Sequence, residues 1–269
     1  MISLIKRAIL DRKYQILIYS VASVGFLEMY IALFPSIQKQ AQQMSKLLDT
    51  YPESFWKAFN IDKATLTFDK LGPFLGMEQF NFVWPILAIV LMISFANYSL
   101  ANEVEKGTIE FLLSQPISRL KMFFSRYISG IINLLVFSVL SILTIIPLAA
   151  FHGIKIETNG VLALFLLSFF FVLAVYGIAI LASAYFSEKG KASSLTAGIL
   201  ILMFVVNIVA GLKENLNDLK YFSFFYYYNP TLAMDKGQFI SGAIIVFTGV
   251  ALITTLLAAL WFNKRDITV

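Results

Sequence analysis

Six long apolar runs punctuate the chain, at about 15–34, 82–100, 122–150, 159–184, 192–212 and 240–262. Each is close to or longer than the ~20 residues that an α-helix needs to cross a bilayer core. The pattern predicts an all-α, polytopic membrane protein with six transmembrane helices, forming a single transmembrane domain over 1–269. The polar stretches between the runs carry the remaining information.

Residues 1–13 alternate Lys6, Arg7, Arg12 and Lys13 with Ile2, Leu4, Ile5, Ile9 and Leu10. That is a short amphipathic segment, suited to lie in the headgroup layer with its cations toward anionic lipid. It does not read as a signal peptide, because the apolar run that follows is about 20 residues long, holds Glu28 and lacks a small-residue cleavage site. Glu28 is a carboxylate inside the first span. It reads either as a group on a substrate or proton path, or as a hydrogen-bonding group near the interface. Asn133 interrupts the third span and reads as an interhelical hydrogen bond or a residue of the path. Segment 35–80 is the longest polar stretch. Ile37, Ala41, Met44, Leu48 and Tyr51 recur on one helical face, and Gly72-Pro73 and Gly76 predict breaks before the second span. Trp84, Pro85 and the aromatic run 221–228 read as features of the membrane interface and of helix starts.

Residues 102–119 form a charged, helix-forming island between two apolar runs. On a helix, Glu103, Lys106, Glu110 and Ser114 share one face, and Lys106 can pair with Glu103 or Glu110. Ile109, Leu112, Leu113 and Pro116 share another. Pro116 stops the helix and frees Ser118 to cap the next one. A loop needing only solubility has no use for this apolar face, which asks for a partner surface. Nor has it a use for Gly107 in mid-helix, which costs roughly 0.5–1 kcal/mol unless something packs closely there.

The order Glu-x-Glu-x-Gly-Thr, then Leu-Leu, then Pro-x-Ser-Arg resembles the loop between the second and third spans of permease subunits of type-2 ATP-binding-cassette exporters. The matching residues are Glu103, Glu105, Gly107, Thr108, Leu112, Leu113, Pro116, Ser118 and Arg119. The resemblance implies that the island is a coupling helix docked into a separate ATPase subunit, anchored by Ile109, Leu112 and Leu113 and oriented by Glu103, Glu105 and Arg119. It further implies an N-terminal elbow helix over 1–13 and pairing with a second permease copy as a homodimer. ATP and magnesium would be held by the partner, with no cofactor on this chain. In this family the segment between the last two spans dips into the outer leaflet near the exit of the path.

Composition agrees with a membrane setting. Of 269 residues, 59% are hydrophobic and only 14% charged, against about 25% charged in a soluble domain. There is no cysteine, so disulfides and thiolate metal sites are excluded. The net charge of +5 is better explained by topology than by nucleic acid. Segments 1–13, 102–126, 184–192 and 263–269 hold 12 lysines and arginines in 54 residues; segments 35–80, 151–158 and 213–239 hold nine in 81. The positive-inside rule therefore places both termini and the island in the cytoplasm of a multi-pass plasma-membrane protein surrounded by lipid.

No phosphate loop, zinc-protease motif or nucleophile elbow occurs. His152 is the only histidine and makes no metal site by itself. The expectation is a transport subunit that borrows its energy, not an enzyme, with a drug, peptide or lipid as cargo. The alternatives are a self-contained secondary transporter using Glu28, or a permease for ion export or for maturation of an exported protein.

Overall fold

The structure, a computed structural model, describes residues 2–41, 52, 56, 68–107 and 118–265. Among these residues there are helices and turns and no strand. Ten α-helices follow in order: α1 Ile2–Leu10, α2 Lys13–Lys39, α3 Leu71–Ser99, α4 Ala101–Glu105, α5 Arg119–Phe151, α6 Thr158–Tyr185, α7 Lys189–Leu212, α8 Phe224–Tyr227, α9 Pro230–Lys236 and α10 Ala243–Lys264. A 3-10 segment, Glu214–Phe222, precedes α8. Six of them, α2, α3, α5, α6, α7 and α10, are long and apolar enough to cross a membrane. The all-α, six-span architecture follows the hydropathy pattern.

Helix α6 is the centre of the bundle. Leu164, Leu167, Phe171, Val175 and Tyr176 are fully buried on it, and it packs most extensively against α10 and then α3. Its Phe171 stacks on Tyr228 with ring centroids 4.3 Å apart. The perimeter is apolar too: Ile201 and Leu202 on α7 are each 63% exposed and Ile245 on α10 is 78% exposed. Large exposed aliphatic side chains on this scale require an apolar surrounding medium.

Three local expectations are corrected. Helix α2 does not stop at Pro35 but runs through it to Lys39; the proline removes one backbone hydrogen bond near the helix end, where few remain to be lost. Gly72-Pro73 and Gly76 do not break the chain. They lie inside the first turns of α3, where Pro73 has no N–H that the helix needs. Trp84 is not an interface anchor. It is fully buried, donates from Nε1 to Ser141 Oγ at 2.8 Å and stacks on Phe137. Trp84 follows a wide π-turn at Gln79–Val83, and Ser141 lies within a second one at Val139–Leu143. The aromatic run is likewise divided: Phe222 is 76% exposed, while Phe224 and Tyr228 are buried, with Tyr228 hydrogen-bonded to Ser168 at 3.1 Å.

The glycines of α3 and α6 serve close approach by α9. A Cβ on Gly76 would fall 2.8 Å from the Thr231 Cα, and one on Gly160 would fall 2.3 Å from the Met234 carbonyl oxygen. Both obstacles are backbone, so α9 would have to move. Gly160→Val is expected to cost about 1–3 kcal/mol. Gly198→Val, where the space is open, should stay within about 0.5 kcal/mol of the parent. Thermal unfolding of the two purified variants in the same detergent checks the difference.

Candidate functional site

The island leaves α3 through α4 and re-enters through α5. Helix α4 ends at Glu105 and is followed by a turn through Gly107, whose φ is +68°. The Gly107 N–H donates to the Val104 carbonyl at 3.0 Å and the Lys106 N–H to that of Asn102 at 3.1 Å. The expected helix through Gly107 is therefore interrupted there: the glycine sits in a left-handed turn and not in mid-helix. Residues 108–117, with Thr108, Ile109, Leu112, Leu113 and Pro116, lie outside the described residues, as do Met44, Leu48 and Tyr51 of the earlier stripe. At the far side Ser118 caps α5, its Oγ accepting from the Lys121 N–H at 3.3 Å.

Glu103, Glu105 and Arg119 are each tied to a different part of the bundle. Glu103 Oε1 lies 3.1 Å from Arg126 Nη2 on α5, with side chains only 14% and 16% exposed. Glu105 accepts from the backbone N–H of Lys189 at 2.9 Å. Its carboxylate thus caps the positive end of α7. The Lys189 Nζ is 4.0 Å away, a contact too exposed to add much. Arg119 donates to the Arg265 carbonyl, and the Arg265 guanidinium donates to the Ala184 carbonyl and to Ser187 Oγ. Burial lowers the pKa of Arg265.

A second polar layer lies directly beneath. Ser183 Oγ donates to the Ala96 carbonyl at 2.8 Å and accepts from the Ala101 N–H at 3.0 Å. Asn97 Nδ2 donates to Ser193 Oγ at 2.6 Å. The Arg12 guanidinium sits 3.7 Å from the centre of the Tyr98 ring and donates to Gln15, which in turn donates to Ser94. Burial lowers the pKa of Arg12; Tyr98 and Asp11 oppose that shift and Arg126 adds to it. Residues of α2, α3, α5, α6 and α7, with Arg265 just past α10, meet in this polar knot at the end of the bundle where α1 lies.

The other two candidate residues sit elsewhere. Glu28 Oε1 is 2.7 Å from His152 Nε2, which joins α2 to the end of α5 on the opposite face. Asn133 is 2% exposed on α5, beside Ser129 and Gly130. Its Oδ1 has no hydrogen-bond partner among the described residues, so the expected interhelical bond through that atom is absent there. Among the described residues no three His, Cys, Asp or Glu side chains are grouped to hold a metal.

Arg126, Lys189 and Arg265 join the island's charges, and His152 joins Glu28, as partners that reading the island and Glu28 in isolation does not identify. For Arg126 a signal existed: it is a cation two turns into a membrane helix, where an unpaired charge is costly. Lys189 and His152 acquire partners 84 and 124 positions away, which no local pattern reports.

The family model described as ABC-2 family transporter protein matches residues 5–267. The chain belongs to this family. It is therefore a membrane permease of ATP-binding-cassette transporters, a transport component whose family typically works with an ATPase subunit. No curated protein matches the ABC-2 chain at a significant level.

Proposed function

We propose that this ABC-2 permease is the membrane-spanning subunit of an ATP-driven exporter, and that a separate ATPase subunit docks on residues 102–119. The carrying observation is the polar knot: Glu103, Glu105 and Arg119 fasten the two ends of the island to α5, α7 and the end of α10. A push on the island by closing ATPases would move several spans as one body, which is rigid-body coupling through one packed interface. Two permease copies would pair, with both termini in the cytoplasm and the chain in the plasma membrane. ATP and magnesium belong to the partner. A drug, peptide or lipid fits a path walled by apolar and aromatic side chains. A self-powered transporter using Glu28 has less support, because that carboxylate is engaged by His152 at the edge of the bundle.

The test is affinity purification of the tagged chain in mild detergent, followed by an ATPase assay on the eluate. Co-elution of a phosphate-loop subunit with ATPase activity is the expected result. A chain that elutes alone, stable and without activity, counts against the reading. Glu105→Lys probes the clamp itself. The cap is worth about 1 kcal/mol, so the variant should fold. Transport per ATP hydrolysed should fall on the order of tenfold, the size of ordinary coupling free energies. Glu105→Gln, which can still accept from the Lys189 N–H, should lose less.

A further inference from the structure

A cavity of about 10 Å³ lies between the corner that joins α1 to α2, the end of α3 nearest α4, and α5. That volume is about the least that holds one water molecule. Much of its wall is polar, made by Arg12, Ser99, Arg126, Ser129 and Asn133, and no residue of α7 lines it. Three buried polar atoms here have no hydrogen-bond partner among the described residues: Arg12 Nε, Asn133 Oδ1 and Tyr176 Oη. Arg12 and Asn133 line the cavity themselves. Tyr176 reaches it from α6. Its ring stacks on Tyr127 at 5.3 Å, and its hydroxyl lies against Gly130, another wall residue, where a Cβ would collide with it.

The three atoms are chemically complementary. Arg12 Nε only donates, Asn133 Oδ1 only accepts, and the tyrosine hydroxyl does either. The neighbouring groups are engaged elsewhere. Arg126 pairs with Glu103, Arg12 Nη1 donates to Gln15, and the Ser99 and Ser129 hydroxyls donate to the Phe95 and Arg126 carbonyls. What fits is a small group that accepts from Arg12 and donates to Asn133. A bare anion accepts but cannot donate, and a cation would face two guanidinium groups. Left dry, each orphaned atom keeps its full desolvation penalty. Dry cavities in proteins are apolar, whereas polar ones of this size hold water with about three hydrogen bonds.

We propose that this cavity is a hydration site: one ordered water accepts from Arg12 Nε, donates to Asn133 Oδ1 and hydrogen-bonds to Tyr176 Oη. The water ties the α1–α2 corner to α5 and α6, three elements that these side chains do not join directly. Asn133 is then a residue that positions this water and gains its interhelical link through it. Such a water is held whether or not the chain exports with a separate ATPase.

The experiment is a crystal structure of the purified full chain, at a resolution that shows ordered water, beside thermal unfolding of variants in one detergent. The expected map has a peak within hydrogen-bonding distance of both Arg12 Nε and Asn133 Oδ1. No peak, or a direct bond between those two atoms, overturns the proposal. In unfolding, Asn133→Leu and Tyr176→Phe should each lower the folded-to-unfolded ratio about tenfold. The two residues share no hydrogen bond, so independent effects would multiply to about a hundredfold in the double variant. With a shared water the double variant loses clearly less than that product. Ser141→Ala, about two turns further along α5 and bonded to Trp84, should instead multiply with Asn133→Leu. An Asn133→Leu chain as stable as the parent, or more so, marks a dry orphan and overturns the proposal, as does full multiplication with Tyr176→Phe. So does a midpoint raised by chloride over gluconate in the parent but not in Arg12→Lys, which would make the cavity an anion site.

Discussion

A chain carrying both Leu112→Arg and Leu113→Arg is expected to fold, enter the membrane and purify without its ATPase. By helical spacing in the sequence the two leucines share the apolar side of the island, in the stretch that resembles a coupling helix. Burying a leucine gains about 1.5–3 kcal/mol, so losing two removes about 3 kcal/mol or more, over a hundredfold in affinity. Two arginines add the desolvation of two charges in the same interface. The effect on the free permease should be small, because leucine and arginine have nearly equal helix propensity and the described ends of the island are held by other residues: Glu103, Glu105, Ser118 and Arg119. The comparison is the yield of ATPase subunit per permease in a pull-down, beside the thermal midpoint of each permease. Full recovery of the ATPase by the variant would remove both leucines from the docking surface and count against the island as its site.

What the sequence made legible divides along physical lines. The six spans were readable because hydropathy integrates over about 20 residues and tolerates local irregularity. Breaks were misread where a residue's meaning depends on its place in the helix. Pro73 is harmless in a first turn, and Gly76 is required by a neighbouring helix 155 positions on, at Thr231. Trp84 looked interfacial because tryptophan favours that layer, yet Ser141 satisfies its N–H in the core. In the island, the pattern marked the charged residues but not what they face. Periodicity ranks i, i+4 neighbours and says nothing of Arg126 or the N-terminus of α7. Gly107 carried the right flag for the wrong reason: glycine in a helical pattern reports special backbone geometry, and here that geometry is a positive φ. The Glu28–His152 pair was beyond reach, since the two residues stand 124 positions apart and no local pattern links them.

Arg126→Ala is expected to be the most damaging single change to stability in the polar knot, about 3 kcal/mol. The Arg126–Glu103 pair is 3.1 Å apart and mostly withdrawn from water. Removing one member of a buried ion pair costs about 3–5 kcal/mol, because the remaining charge keeps its desolvation penalty and loses its compensation; the residual exposure of both side chains argues for the lower end. The guanidinium also lies 5.6 Å from the Tyr98 ring, so the Arg12–Tyr98 stack loses a neighbour at the same time. Glu103→Leu with Arg126→Met removes both charges and should recover most of the loss, since replacing a buried pair by apolar residues of similar volume is often neutral. Unfolding of the two single variants and the double variant in one detergent gives the coupling energy directly. A loss below about 1 kcal/mol for Arg126→Ala would place the pair among exposed ion pairs.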